Sequence, residues 1–162
     1  MKIVNVKSDL IEIASNFARN VFIEYYTSLI GINQAQYMAD LFLSKEAISK
    51  LIDKGAIFKL VINEDKILGI SEYLPEEKRI FLSKLYVSKE YRNKGIGKMM
   101  LEDCIKYAIN NNKESIYLTV NKGNINSIGI YKHIGFKIID SVKNDIGNNY
   151  YMDDYIMELS IK

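Results

Sequence analysis

The fold is decided by residues 85–98, which read Leu85-Tyr86-Val87-Ser88-Lys89-Glu90-Tyr91-Arg92-Asn93-Lys94-Gly95-Ile96-Gly97-Lys98. An apolar strand runs into an Arg-x-x-Gly-x-Gly loop, and a helical periodicity begins there and continues to about residue 110. The start of a helix offers free backbone N–H groups and partial positive charge, and glycines let an anion approach that backbone closely. Arg92, Lys94 and Lys98 add positive charge. The stretch therefore predicts a diphosphate-binding corner between a strand and a helix.

Two better-known nucleotide motifs fit this stretch less well. The dinucleotide fingerprint Gly-x-Gly-x-x-Gly requires a third glycine, and Met100 occupies that position. A Walker A loop requires glycine where Arg92 stands and Ser or Thr where Met99 stands. A nucleotide-binding protein is therefore the weaker interpretation of the loop, and competition between ATP and coenzyme A would test it.

The segments on either side of the loop predict one α/β domain over residues 1–162. Upstream, a strand at 2–6 and three helices, capped by Ser8 or Asp9, by Asn33 and by Ser44, precede an antiparallel meander at 56–63, 67–74 and 79–87. Downstream, we expect strands at 114–120, 136–142 and 151–161, a helix at 124–134 and a loop at 143–149. The helical connection between the fourth and fifth strands implies a parallel pair. The sheet is therefore mixed, with about six to seven strands and flanking helices.

Composition excludes several classes of protein. The 162 residues carry 22 Lys and Arg against 20 Asp and Glu, a net charge of +2 that does not indicate a nucleic-acid partner. One cysteine and one histidine make a soft-ligand metal site improbable and an intrachain disulfide impossible. The apolar runs are short and the first residues are charged, so we expect neither a membrane span nor a signal peptide. A cytoplasmic protein follows as the expectation.

A second motif, in residues 120–136, directly follows the strand predicted at 114–120 and ends in Gly135-Phe136. Ser127 and Tyr131 are four apart and share a helix face, and Asn126 lies in the first turn. With the Arg-x-x-Gly-x-Gly loop, this segment resembles the Gcn5-related N-acetyltransferase (GNAT) superfamily and its Asn-x-x-Ala-x-x-x-Tyr-x-x-x-Gly-Phe pattern. The resemblance covers essentially the whole chain, most firmly residues 67–136.

The resemblance implies an acetyl-CoA-dependent N-acetyltransferase without a metal, in which the two strands of the parallel pair splay apart. In such proteins backbone N–H groups of the loop hold the CoA pyrophosphate, and the pantetheine arm adds itself beside the fourth strand. The implied cofactor-binding residues are Leu85, Tyr86, Val87, Arg92, Asn93, Lys94, Gly95, Ile96, Gly97, Lys98, Asn126, Ser127 and Tyr131.

The resemblance also assigns the acid–base chemistry. Tyr131 is the expected general acid for the leaving thiolate, because a phenol remains protonated at neutral pH. Packing in the core is the alternative role for this tyrosine. Many relatives carry a glutamate base on the fourth strand, but Ser83 and Lys84 occupy the corresponding positions here. Glu72 on the third strand is the alternative base, unless it is a solvent-facing strand residue.

The acceptor is the least defined part of the prediction. Asp153, Asp154 and Tyr155 could hold a cationic amine, and Tyr25 and Tyr26 lie near a boundary that often lines the acceptor cleft in this family. A solvated loop before an edge strand is the alternative interpretation of the acidic segment. We expect a small-molecule primary amine, with polyamines favoured, attacking directly. Protein or peptide acetylation, a non-catalytic acyl-CoA-binding regulatory module and a homodimer remain open.

Overall fold

The computed structural model describes residues 1–161, and its elements follow the predicted order closely. The strands are β1 (Lys2–Asn5), β2 (Ile57–Asn63), β3 (Lys66–Pro75), β4 (Arg79–Val87), β5 (Ser115–Asn121), β6 (Lys137–Gly147) and β7 (Tyr150–Ser160). The helices are α1 (Ile11–Ile30), α2 (Ile32–Phe42), α3 (Lys45–Asp53), α4 (Ile96–Asn110) and α5 (Ile125–Ile134). Over residues 1–161 the strands form one seven-stranded mixed sheet in the order β1-β2-β3-β4-β5-β7-β6. The predicted α/β fold is confirmed.

The described residues form two compact units, the first of which comprises residues 1–75 and 82–104. In it β1 pairs antiparallel with β2, and β2 with β3, so that Phe58 lies opposite Glu72 and Leu60 opposite Ile70. Helix α3 begins as predicted, because the Ser44 side chain accepts a hydrogen bond from the Ala47 N–H at 3.1 Å.

Close approach between the sheet and the first half of α4 depends on Gly69. A Cβ at that position would lie 2.9 Å from the Met100 Cε, 3.1 Å from the Tyr86 carbonyl oxygen and 3.2 Å from the Ile96 Cγ2. Met100 and Ile96 are buried with Val61 and Leu68 in the same core cluster. The missing side chain at Gly69 therefore lets the N-terminal turn of α4 sit directly against β3 and β4.

The second unit comprises residues 76–81 and 105–161. The first residues of β4 pair parallel with β5, Arg79 with Ser115 and Phe81 with Tyr117. Strand β7 pairs antiparallel with both β5 and β6, so it is an interior strand of the sheet. This placement corrects the interpretation of the C-terminal segment as a loop that leads into an edge strand.

Three local predictions were wrong in detail. Asn33 does not cap α2, because it lies inside the helix and Gly31 occupies the N-cap position. The predicted loop at 143–149 belongs mostly to β6, and the turn is confined to Asn148 and Asn149, whose φ angles are 55° and 62°. Two residues with left-handed backbone match the twist of a tight hairpin. Neither Ser8 nor Asp9 caps α1, because both lie in a 3-10 turn that precedes it. Within residues 1–161, we find no helix with both the length and the apolar character that a bilayer crossing requires.

Candidate active site

The predicted phosphate loop lies between the end of β4 and the start of α4. The chain makes a 3-10 turn over Lys89–Tyr91, after which Asn93 and Gly95 have left-handed backbone with φ of 62° and 85°. A Cβ added at Gly95 would meet nothing within 4 Å, and one at Gly97 would meet the Val87 Cγ2 at 3.8 Å. The glycines thus leave open space beside the first turn of α4, where a helix presents its N–H groups. This geometry fits the approach of a diphosphate.

The cationic residues of the loop have different roles. The Arg92 Nε donates to the Val87 carbonyl oxygen at 3.0 Å, and its terminal nitrogen lies 2.7 Å from Glu24 Oε1 on α1. Lys94 and Lys98 are exposed, and the Lys98 side chain retains 77% of its accessible surface. Arg92 therefore anchors the loop to β4 and α1, while the two lysines carry the positive charge that faces solvent.

The C-terminal half of α1 and the end of β4 share an aromatic cluster of Phe22, Tyr25, Tyr26 and Tyr86. The ring centroids are 4.6 Å apart for Phe22 and Tyr26, 4.9 Å for Tyr25 and Tyr26, and 6.0 Å for Phe22 and Tyr86. The Arg92 guanidinium carbon lies 5.1 Å from the Tyr25 ring centroid. The two tyrosines predicted for the acceptor region therefore sit in one cluster with Tyr86, a predicted CoA-strand residue.

The other two predicted CoA-strand residues, Leu85 and Val87, point toward the core cluster around Met100 and Ile96. Side chains alternate along a strand, which is why Tyr86 reaches α1 from the opposite face of β4. All three are half-buried. Their role in binding pantetheine stays a prediction, because it concerns their backbone rather than these side-chain contacts.

Glu72 and Lys84 form a buried ion pair. Their side chains retain 2% and 8% of their accessible surface, and the Lys84 Nζ donates to the Glu72 Oε1 and to the Ser83 Oγ, the latter at 3.3 Å. The Lys84 Nζ also lies 5.6 Å from the centroid of the Phe58 ring. The alternative interpretation of Glu72 as a solvent-facing strand residue is therefore wrong. The sequence analysis did not identify Lys84 as the charged partner of Glu72.

Tyr131 is half-buried on α5 in the second unit. Its ring packs edge-to-face against Phe136 with centroids 5.4 Å apart. The helix ends at Gly135, whose φ of 125° is accessible to glycine, and a Cβ there would approach the Leu159 Cδ1 at 3.3 Å. The Gly-Phe pair of the motif therefore ends the helix and packs against the tyrosine ring. A catalytic role for Tyr131 stays a prediction.

Asn124 is a residue that the sequence analysis missed. It is 2% exposed and caps α5, with its side-chain oxygen accepting from the Ser127 N–H at 3.3 Å, whereas Asn126 is exposed. The spacing of the family pattern, counted back from Tyr131, places its asparagine at Asn124 and its small residue at Ser127. Strict counting would have selected Asn124 in place of Asn126.

The acidic residues of β7 lie on opposite faces of the strand, because neighbouring strand residues alternate. Asp153 is half-exposed, and its carboxylate lies 3.1 Å from the Lys122 Nζ, which also lies 5.4 Å from the Tyr155 ring centroid. Asp154 is 5% exposed and lies opposite Asn121 of β5. The pKa of Asp154 is raised to about 6, mainly because the carboxyl is buried and also because the Asp153 carboxylate is near, while Lys122 partly opposes the increase.

Cys104 is fully buried, and burial, with a contribution from Asp103, raises the pKa of its thiol to about 12. A thiol in this environment is a poor nucleophile, in line with the predicted core position on α4. Among residues 1–161, no group of three or more His, Cys, Asp or Glu side chains is arranged to hold a metal ion.

Residues 18–136 match the Acetyltransferase (GNAT) family, and this chain therefore belongs to that family. The match confirms the resemblance stated from the two motifs. The fold agrees, since PaiA N-acetyltransferase from Thermoplasma acidophilum, solved in complex with coenzyme A, superposes with a TM-score of 0.82 over 99% of each chain at 23% identity.

The names of the relatives specify different acceptors. A peptidyl-lysine N-acetyltransferase of Salmonella typhimurium is 27% identical over 115 residues, covering 70% of this chain and 71% of its own. A spermine/spermidine N(1)-acetyltransferase of Bacillus subtilis is 33% identical over 60 residues, covering 36% of this chain and 40% of its own. The chain spans 42% of N-acetyltransferase 8 of Homo sapiens. The relatives therefore support the family and leave the acceptor open.

Proposed function

We propose that this protein is an acetyl-CoA-dependent N-acetyltransferase that modifies a primary amine of a small molecule by direct attack, with no covalent enzyme intermediate. The observation that carries the proposal is the loop at the start of α4, where left-handed Gly95 and unobstructed Gly97 leave the helix N-terminus open to a diphosphate. Acetyl-CoA would supply the acetyl thioester. Lys94 and Lys98 would add charge attraction at the phosphates.

The remaining roles follow from residue type and from the family motifs. The backbone of residues 85–87 would align the pantetheine arm, with Ser127 and Asn124, which occupies the position of the motif's asparagine, as further CoA contacts. Glu72 would accept the proton that the attacking nitrogen loses, and Tyr131 would give a proton to the sulfur as the carbon–sulfur bond breaks. The proton count balances, because one proton leaves the amine and one reaches the thiol.

We favour a cationic acceptor such as a polyamine. Asp154 is a largely buried carboxyl, and an ammonium gains more from a desolvated carboxylate than from one in water. Asp153 already has Lys122 as a cationic partner, and Tyr155 lies on the same face of β7 as Asp153, so the proposal assigns the ammonium of the acceptor to Asp154 rather than to Asp153 or Tyr155. The spermine/spermidine-acetylating relative supports the same choice. Tyr25 and Tyr26 are further candidates for acceptor contact.

A second candidate acceptor is a peptidyl lysine. The Salmonella relative bearing that activity in its name aligns over 70% of this chain, about twice the share covered by the polyamine-acetylating relative. A lysine side chain and a polyamine both present a primary amine on a flexible methylene chain. The two candidates therefore differ in whether a second ammonium or a peptide backbone is recognised.

The test is a thiol-release assay with acetyl-CoA and a panel of amines. The panel pairs a diamine with a monoamine of equal length and includes a lysine-containing peptide. A higher kcat/KM for the diamine, lost in Asp154→Asn and retained in Asp153→Asn, supports the polyamine proposal. Preference for the peptide would select the second candidate. Coenzyme A binding without turnover of any amine would identify a regulatory acyl-CoA-binding module.

A further inference from the structure

The Lys84–Glu72 pair is an unusual feature for the interior of a sheet. Both side chains are more than nine-tenths buried, and the Lys84 Nζ is surrounded by the Glu72 carboxylate, the Ser83 hydroxyl and the Phe58 ring. Removing two charges from water costs several kcal/mol per ion, and their attraction repays this only in part. Two apolar side chains would fill the same positions at lower cost. The pair is therefore poorly explained as a stabilising contact.

The position of the pair suggests a chemical role. Lys84 and Tyr86 are two residues apart on β4, so their side chains share a face of the sheet. Tyr86 belongs to the aromatic cluster, with its ring 6.0 Å from that of Phe22. The buried carboxylate of Glu72 thus lies on the same face of the sheet as the tyrosines proposed for acceptor contact.

We infer that Lys84 is a positioning residue that holds the Glu72 carboxylate in its orientation as the proton acceptor. This inference rests on the proposed function. An ammonium in contact with a carboxylate favours the charged form of that carboxylate, which is the form that can accept a proton. The Lys84 ammonium donates to the Glu72 Oε1 atom and fixes its position. The proton passes from the attacking amine to the Glu72 carboxylate, and Lys84 itself takes no part in the transfer.

Other titratable groups near Glu72 are accounted for by their own partners. On β2 the residue in register with Glu72 is Phe58, which carries no charge. On α1, Glu24 is paired with Arg92. Tyr73, the next residue on β3, points to the opposite face, where its hydroxyl bonds to Asp103 at 3.4 Å.

The test is the pH profile of kcat/KM, measured with one amine for all variants so that ionisation of the amine cancels. In Lys84→Met, the acidic limb should move to higher pH by about one unit or more, because the carboxyl loses its cation. Lys84→Arg should return the limb toward its original position. An unmoved limb in Lys84→Met, with an intact fold by circular dichroism, would overturn the inference.

Lys84→Met leaves a buried carboxylate without its partner and could unfold, so a double variant keeps the test decisive. Lys84→Met with Glu72→Gln has no unpaired buried charge. If Lys84 acts through Glu72, the double variant should have the same kcat as Glu72→Gln alone. A further ten-fold loss in the double variant would contradict the inference. Absence of turnover in the unmodified protein would instead reject the proposed function, so the two failures are distinguishable.

Discussion

The Arg92 guanidinium lies 2.7 Å from the Glu24 carboxylate, which ties the phosphate loop to helix α1. The same side chain donates from Nε to the Val87 carbonyl oxygen at 3.0 Å, so one residue joins the loop to a strand and to a helix. In this family the loop sequence begins with Arg or Gln. The contact indicates that the residue at this first position can act by stabilising the conformation of the loop.

Replacing Glu24 with Gln should weaken acetyl-CoA binding by about two- to five-fold, because the loop loses an anchor rather than a ligand contact. The pair is partly exposed, with 27% and 39% of the two side chains accessible, so the loss of stability should stay below about 1 kcal/mol. Titration calorimetry at low and high salt checks this, because screening should bring the variant and the parent together at high salt.

Asp40→Asn is the matched control, since it breaks another exposed arginine–carboxylate pair, Arg19 with Asp40 at 2.6 Å. It should leave acetyl-CoA affinity unchanged. Equal affinities of the Glu24→Gln variant and the parent at low salt would show that the Arg92 anchor is not needed for the loop to bind.

Gly97→Ala should reduce acetyl-CoA affinity at least ten-fold, about 1.4 kcal/mol, without reducing stability. In the protein itself the new methyl group meets Val87 Cγ2 at an ordinary 3.8 Å, but it projects where the ligand must approach the helix N-terminus. Alanine is the better helix former, so the melting temperature should rise slightly. Calorimetry and thermal denaturation separate the two effects.

Gly129→Ala is the control for Gly97→Ala, because Gly129 is an exposed helical glycine and an added Cβ there would meet nothing within 4 Å. It should raise the melting temperature and leave binding unchanged. Undiminished affinity in Gly97→Ala would mean that the diphosphate does not approach this turn.

Tyr131→Phe should lower kcat by roughly 10²-fold or more with little change in acetyl-CoA affinity, because the phenyl ring keeps the packing against Phe136 and loses the proton donor. Tyr117→Phe is the control. It removes a hydroxyl that bonds to Glu76 Oε2 at 2.6 Å and should leave kcat unchanged. Steady-state kinetics that find the same kcat for Tyr131→Phe and the parent would assign the tyrosine to packing.

Asp154 should make the protein less stable as pH rises from about 4 to about 7. Its pKa is raised from 3.8 to about 6 in the folded protein, so over this range the folded state holds a proton that the unfolded state has released. This contribution to the free energy of unfolding falls with increasing pH by about 3 kcal/mol at most. Asp154→Asn should remove it, giving a variant that gains stability over the parent at pH 7 and little at pH 4.

Chemical denaturation of both proteins at the two pH values measures the difference. Asp153→Asn, at the half-exposed neighbouring position, should show a smaller pH-dependent gain, because the Asp153 carboxylate contributes less than burial to the raised pKa of Asp154. If the advantage of Asp154→Asn were the same at pH 4 and pH 7, burial would not be destabilising the Asp154 carboxylate.

Local sequence signals were strong enough to place most elements. Strand β4 was predicted with its observed bounds, and α4 begins at Ile96, inside the Arg-x-x-Gly-x-Gly loop where the helical periodicity was predicted to begin. The cap at Ser44 and the stop at Gly135 also follow from local chemistry, a hydroxyl that accepts a backbone hydrogen bond and a glycine with positive φ. Such features depend on a few consecutive residues, so no tertiary information is needed to find them.

The candidate site was less predictable, because its contacts join residues far apart in the chain. Arg92 looked like one more phosphate-binding cation, and its pairing with Glu24 of α1 depends on how that helix packs. The pairing of Lys84 with Glu72 likewise depends on which residues of β3 and β4 share a face.

The sequence by itself determined the family, the order of strands and helices and the position of the phosphate loop, because periodicity, glycines and motif spacing are local properties of the chain. Only the tertiary structure decided the environment of each charge. It buried Glu72 against Lys84, and it separated Asp153 from Asp154 by placing them on opposite faces of an interior strand. The physical reason is that desolvation and ion pairing depend on neighbours brought together by sheet register and helix packing.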